Sequence, residues 1–335
     1  MTDQRLVAGL LERLRDELGT GVSFRGPPAP VGGGRFSSVY GFELTPPPAG
    51  WTGSFVIRLV GSPEQTRLEA GLHGAARAED LRAPRVLLWE ADAPDFGGGY
   101  LVMERVPGRS YLRGVAPGSF ALDLPKLLAA WPRRVPRILE ALARVDVDDA
   151  IAALERHGVG HDSSRPGRHL RAVSAALADE PALAGPIHWL HANVPSPPDR
   201  LALVHGDLWP ANVFIDRDEI RLLDWTRGGI DDPALDVGFA KVGFALMPEP
   251  FPPPPPIGQV GRAIGRSIAR RLAMHCEPLV GGADRVRYYE ALRCAVELAD
   301  VVTGRAAGNP PGWEHGVPAL VRHLANITGQ AISFT

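Results

Sequence analysis

Apolar and polar positions along the 335-residue chain follow two different periods. Over roughly the first hundred residues the apolar positions come in short, partly alternating runs separated by Gly and Pro, the pattern of strands with one buried face. Residues 54–60 (SFVIRLV), 84–90 (PRVLLWE) and 99–106 (GYLVMERV) each predict a strand, the last two joined by the turn at 97–99 and forming the end of a small antiparallel sheet. Residues 31–44 predict two further strands about a glycine turn at 32–34. Two helices interrupt this regime. Leu6, Leu10, Leu11, Leu14 and Leu18 interleave with charges over 1–19, an amphipathic helix. At 62–65, Ser62 as N-cap, Pro63 at the first helical position and Gln65 three residues after the cap predict a helix start closed by a capping box. From residue 123 the period is helical: 123–131, 137–145, 148–157, 168–177, 183–191, 235–246, 261–276, 284–305 and 313–328, with Pro132 and Pro136 expected to break the first pair. One hairpin stands within this helical half, 213–215 and 220–223 about the charged turn 216–219. A proline run at 248–256 predicts a stiff spacer, with a substrate lid as the alternative. The pattern as a whole is α+β.

Composition narrows the class. Hydrophobic residues at 45% and charged residues at 22% are ordinary for a globular protein, and the length suffices for two lobes. A formal net charge of −2 gives no general attraction to nucleic acid or to an anionic membrane. The charged N-terminal helix is unlike a signal peptide, and no run approaches the roughly twenty apolar residues of a membrane span. Cys276 and Cys294 fall in predicted helices as reduced core residues. The expectation is a cytoplasmic protein without nucleic-acid, membrane or obligate protein partners. Lys126 and Lys241 are the only lysines, so nearly every positive charge is an arginine.

Candidate chemistry concentrates at 203–236, LVHGDLWPANVFIDRDEIRLLDWTRGGIDDPALD. A hairpin brings its ends together, so Asn212 entering the first strand and Asp224 leaving the second are expected side by side, with Asp207 just upstream. Two carboxylates and an amide oxygen are hard donors that suit Mg²⁺, which is held by one or two carboxylates and the phosphates of a nucleotide. Taken singly, each of these residues also fits an ordinary turn or helix cap. A zinc hydrolase fits less well, because no second His cluster with zinc-ligand spacing accompanies His205.

In order, His205-Gly206-Asp207, Asn212, Asp224-Trp225, Asp232-Pro233 and Asp236 resemble the signature of the aminoglycoside phosphotransferase and choline kinase families, small-molecule kinases of protein-kinase-like fold. The resemblance implies an N-terminal nucleotide-binding lobe at 1–106, built on a small antiparallel sheet, and a mainly helical C-terminal lobe at 107–335 carrying the catalytic loop and acceptor site. It implies ATP and Mg²⁺ as cofactors, Asp207 as the base that accepts the hydroxyl proton, and Asn212 and Asp224 as metal ligands. It further assigns Gly33, Gly34, Ser37 and Ser38 to a turn facing the phosphates, and Met103, Glu104 and Val106 to the adenine pocket. Arg58 stands where the family carries the phosphate-binding lysine, with Glu69 on the following helix as its partner. That is a departure: arginine keeps the charge and can bind phosphate or carboxylate with two N–H groups, at a different reach. Asp236 is expected as a buried carboxylate supporting the loop, and His205 as a packed histidine holding it.

The acceptor is expected to be a small-molecule hydroxyl. Over 241–335 seven acidic residues face ten basic ones, which argues against a polycationic aminoglycoside and for a neutral or anionic alcohol such as a sugar, a hydroxy acid or its thioester, or a macrolide. Two other classes compete with this reading. A protein kinase is disfavoured by Gly206 where that family carries Arg. A catalytically silent ATP-binding module is conceivable without the strand lysine, but Asp207, Asn212 and Asp224 argue against it.

Overall fold

A computed structural model describes the chain apart from residues 1–2, 20, 32–38, 52, 78–80, 82, 113–116, 161–165, 217–218, 247–256, 309–312 and 335. The turn expected to face the phosphates, with Gly33, Gly34, Ser37 and Ser38, and the proline run at 248–256 therefore lie outside the described residues. The chain divides into two compact units, each gathered from separate segments: 1–109, 148–160 and 214–226 in the first, and 110–147, 161–213 and 227–335 in the second. The sequence pattern predicts a single cut, between 106 and 107.

The first unit is built on a five-stranded antiparallel sheet of order β2-β3-β5-β7-β6, comprising β2 (Ala29–Pro30), β3 (Val39–Phe42), β5 (Phe55–Val60), β6 (Val86–Ala93) and β7 (Gly98–Glu104). A short pair, β1 (Ser23–Phe24) with β4 (Leu44–Thr45), adjoins it. Alternation along the strands decides what each face meets. Phe55 and Ile57 of β5 and Tyr100 and Val102 of β7 join Phe42, Trp51 and Phe96 in one cluster with Leu10 and Leu14 of helix α1 (Asp3–Leu18). Leu101 and Met103 point the other way and pack with Val60 and with Ala70 of helix α2 (Pro63–Ala75). Arg58 shares this second face with Val56 and Val60, so a charged residue lies on the α2 side of the sheet. Helix α2 begins as expected, Ser62 Oγ accepting from Gln65 N at 3.1 Å. The capping box is only half made, however, because the Gln65 side chain turns to Glu69 and Thr226 instead of back to the cap.

The second unit is helical: α3 (Pro117–Ala129), α4 (Trp131–Arg144), α6 (Arg168–Ala176), α7 (Ala184–Ala192), α8 (Ala234–Ala245), α9 (Ile257–Cys276), α10 (Ala283–Ala306) and α11 (Val317–Thr328). Helix α5 (Val147–Arg156) belongs almost wholly to the first unit. Helix α10 packs against α8 and α11 and is buried along most of its length. Strands β9 (Ala202–Val204) and β12 (Gly229–Asp231) pair antiparallel, Leu203 opposite Ile230. The hairpin expected at 213–223 is present as β10 (Val213–Asp216) and β11 (Glu219–Leu222), next to the two-residue β8 (Arg109–Ser110).

The prolines correct one expectation. Pro132 sits in the first turn of α4, where its missing N–H costs nothing, but Pro136 lies inside the helix instead of ending it. An interior proline removes one helical hydrogen bond and costs about 3 kcal/mol. The apolar stripe Trp131, Val135, Ile138, Leu139 and Leu142 is fully buried, and burial of about 1.5–3 kcal/mol per large side chain outweighs that cost.

Asp231, at the end of β12, is buried and accepts from the N–H groups of Gly167 (3.2 Å) and Asp232 (2.8 Å). Burial pushes its pKa up from 3.8 to about 6. The folded state thus favours the protonated form, so this group's stabilising contribution is full below about pH 4 and is lost as pH rises through 6. The difference is on the order of 2–3 kcal/mol. In urea titrations at pH 5 and pH 7, Asp231→Asn is expected to shrink the loss of stability between the two. An unchanged difference would show that Asp231 is not the group responsible.

Candidate active site

Each unit gathers its own part of the site. In the first, strand alternation and the α2 helix bring Arg58 and Glu69 together, with Arg58 Nε 2.9 Å from Glu69 Oε2 and Glu69 fully buried. The same guanidinium reaches the loop after the hairpin: Nη2 donates to Asp224 Oδ1 at 3.0 Å and to Thr226 Oγ1 at 2.8 Å. Thr226 donates in turn to the Asp224 carboxylate. Gln65 Nε2 completes the network, bonding Glu69 Oε1 at 3.1 Å and Thr226 O at 2.9 Å. Burial works against the charge on Arg58, but the carboxylates of Asp224 and Glu69 more than offset it and hold the guanidinium above its usual pKa.

Among the described residues Asp224 alone is a non-glycine with positive φ, at 65°. The left-handed conformation costs an L-residue about 1–2 kcal/mol, and such strain persists where surrounding bonds impose it. Arg58 and Thr226 are those bonds here. Met103 is buried in β7. Glu104 ends that strand, its carboxylate 2.9 Å from Arg85 Nε and its N–H bonded to Arg85 O, and Val106 follows half-buried.

In the second unit the loop after β9 is held at nearly every polar atom. Asp236, buried in the first turn of α8, accepts from His205 N at 2.9 Å and Gly206 N at 2.6 Å. Burial pushes the Asp236 pKa up, and the two N–H groups work against that rise. His205, also fully buried, accepts the Asp207 N–H on Nδ1 at 3.2 Å. Gly206 has φ 73°, and a Cβ there would lie 2.1 Å from the carbonyl oxygen of Arg227. Only glycine fits. Asn212 Nδ2 bonds both Asp207 O (3.1 Å) and Asp207 Oδ2 (2.9 Å).

Further residues that sequence reasoning missed join these groups. Arg293, on α10, puts Nη2 3.2 Å from Asp207 Oδ1 and donates from Nη1 to Gly206 O at 3.3 Å. Glu297, one turn on, lies 2.7 Å from Arg293, and 3.5 Å from Arg227. Arg227 also pairs with Asp300. In the sequence, Arg293 and Glu297 look like an ordinary i, i+4 pair on a solvated helix, with nothing to mark the loop 86 residues away. Thr226, two residues from Asp224, was within reach of a local search for hydroxyls.

The charge count over 241–335 loses force as evidence about a ligand. Lys241 pairs with Glu277 and Glu290, Arg285 with Asp232, Arg293 with Asp207 and Glu297, and Arg305 with Glu314.

A family-model match defines a phosphotransferase, and the fold is kinase-like. Residues 38–271 match the model of the Phosphotransferase enzyme family (APH), and the chain belongs to that family. Among solved structures it resembles aminoglycoside phosphotransferase APH(4)-Ia at 18% identity and TM-score 0.59, covering 98% of this chain and 99% of that one. Macrolide 2'-phosphotransferase MphH from Brachybacterium faecium is similar at 20% identity and TM-score 0.54, covering 95% and 97%. A GDP complex of an aminoglycoside 2'-phosphotransferase-IIIa mutant gives 14% and 0.60, covering 96% and 99%. At such identities the likeness establishes the fold. Curated relatives include acyl-CoA dehydrogenase family member 11 of Gallus gallus, 29% identical over 168 residues, and of Homo sapiens, 27% over 181. The match covers about half of this chain but only 20% and 22% of those proteins. No described helix is long and apolar enough to cross a membrane. Among the described residues no group of three or more His, Cys, Asp or Glu side chains is arranged to hold a metal.

Proposed function

We propose that the chain transfers the γ-phosphoryl group of MgATP to a hydroxyl of a small molecule, with Asp207 as the base. The observation that carries this reading is the Asp207 carboxylate, one-third exposed on a loop otherwise pinned by Asp236, His205, Asn212 and Arg293. A reactive group that remains accessible while its backbone is fully bonded is suited to orient an incoming alcohol. Asn212 and Asp224 fit a magnesium ion by chemistry, one amide and one carboxylate oxygen, with phosphates and water left to supply the rest. Bound there, the ion would neutralise charge on the transferring phosphoryl group. Arg58, braced by Glu69, would bind nucleotide phosphate, Met103, Glu104 and Val106 the adenine, and Gly33, Gly34, Ser37 and Ser38 the phosphates.

The APH(4)-Ia neighbours support this use of ATP, mutants having been solved as ternary complexes of ADP or AMP-PNP with hygromycin B, whereas the aminoglycoside 2'-phosphotransferase-IIIa neighbours hold GDP. A neutral or anionic acceptor remains the proposal from the charge balance of 241–335, and the neighbours, named for aminoglycosides and for a macrolide, place both of those classes on the test panel. ADP release measured over a panel of sugars, hydroxy acids, hydroxyacyl thioesters, macrolides and aminoglycosides tests it. Stimulation by at least one alcohol is expected, and nucleotide binding with no stimulation across the panel would favour a silent module instead. Arg58→Ala is expected to weaken use of ATP by about 1–3 kcal/mol, the range for a charge-assisted hydrogen bond, seen as a lower kcat/KM for ATP. Unchanged kinetics would remove Arg58 from the site.

A further inference from the structure

Beside Asp207, and so far given only the part of pinning its loop, lies a buried arginine. Arg293 is 7% exposed. A guanidinium taken out of water is costly unless engaged, and this one is engaged through both terminal nitrogens, Nε alone having no hydrogen-bond partner among the described residues. Glu297 lies 2.7 Å from Nη2, the ring of Phe239 is 5.0 Å from Cζ, Gly206 O accepts from Nη1, and Asp207 Oδ1 lies 3.2 Å from Nη2. Glu297 is shared with Arg227, which is itself paired with Asp300. The result is a chain of alternating charge, Asp300, Arg227, Glu297, Arg293, Asp207, leading from helix α10 and the loop after the hairpin to one reactive carboxylate. Asp207 then has a donor on each oxygen, Asn212 on Oδ2 and Arg293 on Oδ1. Two donors on opposite oxygens set the plane of a carboxylate, and each oxygen keeps a second lone-pair site to accept from another group.

We propose that Arg293, braced by Glu297, is a positioning residue: it fixes the rotation of the Asp207 carboxylate so that a lone pair faces the acceptor hydroxyl. The inference rests on the reading of Asp207 as the base. A structural clasp for the Gly206 carbonyl alone would need only a neutral donor, whereas the second N–H group, aimed at the one loop carboxylate left accessible, has a use only if that carboxylate must be held.

The test compares Arg293→Met and Arg293→Lys with the wild type and with Asp207→Ala, each assayed for kcat, KM for ATP and the folded fraction by thermal unfolding. Misplacing a reacting group by about 1 Å can cost on the order of 100-fold. Arg293→Met is therefore expected to lower kcat about 10- to 100-fold with KM for ATP within twofold, and Arg293→Lys to recover part of that loss. Added to Asp207→Ala, Arg293→Met should cost little more, because its target is gone. Glu297→Gln, which leaves both Arg293 and Asp207 in place, should lower kcat in the same direction and by less, and it serves if Arg293→Met does not fold. A lowered melting temperature with unchanged kcat per folded molecule, or an equal further loss in the Asp207→Ala background, overturns the proposal. If Asp207→Ala itself leaves the rate intact, the base assignment fails, and that failure is distinct from a normal Arg293→Met rate beside an inactive Asp207→Ala.

Discussion

Asp207→Ala is expected to reduce phosphoryl transfer by about 10²–10⁴-fold, the contribution typical of a positioned general base, while ATP binding changes little. The separation of the two effects follows from where Asp207 sits. Its carboxylate contacts Arg293 and Asn212 in the helical unit, whereas Arg58, Glu69 and Asp224, proposed for the phosphates and for one side of the metal, are bonded to one another in the other unit; Asn212, the second proposed metal ligand, keeps its bond to the Asp207 carbonyl when the carboxylate is removed. Removing the carboxylate leaves Arg293 with Glu297 and the Gly206 carbonyl, so its charge stays paired and the fold should survive. Nucleotide affinity by calorimetry and ADP release with the best acceptor are the two measurements. Full turnover in the variant would dismiss Asp207 as the base, and lost affinity would mean that the residue serves the nucleotide instead.

Gly206→Ala is expected to be the most damaging exchange of a single methyl group in the helical unit. Its φ of 73° costs alanine about 1–2 kcal/mol. The added Cβ would also lie 2.1 Å from Arg227 O and 2.6 Å from Arg227 C, which are backbone atoms that cannot swing aside. The Arg227 carbonyl is itself fixed by a hydrogen bond from His169 Nε2 at 3.1 Å, and burial keeps that imidazole neutral by driving its pKa well below the usual value. Relief must then come from the loop, at the expense of the bonds from His205 N and Gly206 N to Asp236. A loss of roughly 2–5 kcal/mol is expected, the range for strain combined with overpacking. Chemical denaturation should show the loss as a shift of the midpoint, and activity should fall with it. A wild-type midpoint would mean that the loop accepts another backbone path. The same geometry explains why the arginine that protein kinases carry at this place has no room here.

Much of the architecture was legible in the pattern of the chain. Periodicity placed the strands 54–60 and 99–106, helix 62 onward and the long helices near the C-terminus to within a few residues of β5, β7, α2, α9 and α10. It failed at Pro136, because a local rule about proline does not register how much apolar surface α4 buries. Ser62 was a cap as expected, but Gln65 was not its reciprocal partner, since Glu69 and Thr226 offered it two acceptors that a four-residue motif does not contain.

What the sequence alone determined was the order of the chemistry: a loop aspartate, an asparagine five residues on, an aspartate after a hairpin, and an arginine and glutamate on adjoining elements whose faces follow from periods of 2 and 3.6. Such features depend on local backbone geometry, which neighbouring residues dictate. Only the tertiary structure decided which charges meet. Arg293 meets Asp207 because α10 packs on α8 and Asp236 of α8 holds the loop, and Arg58 meets Asp224 because the loop after the hairpin turns left-handed beside α2. Charged side chains are long and carry no periodic signature of their partners, so a buried ion pair between distant segments looks, in sequence, the same as two residues in water.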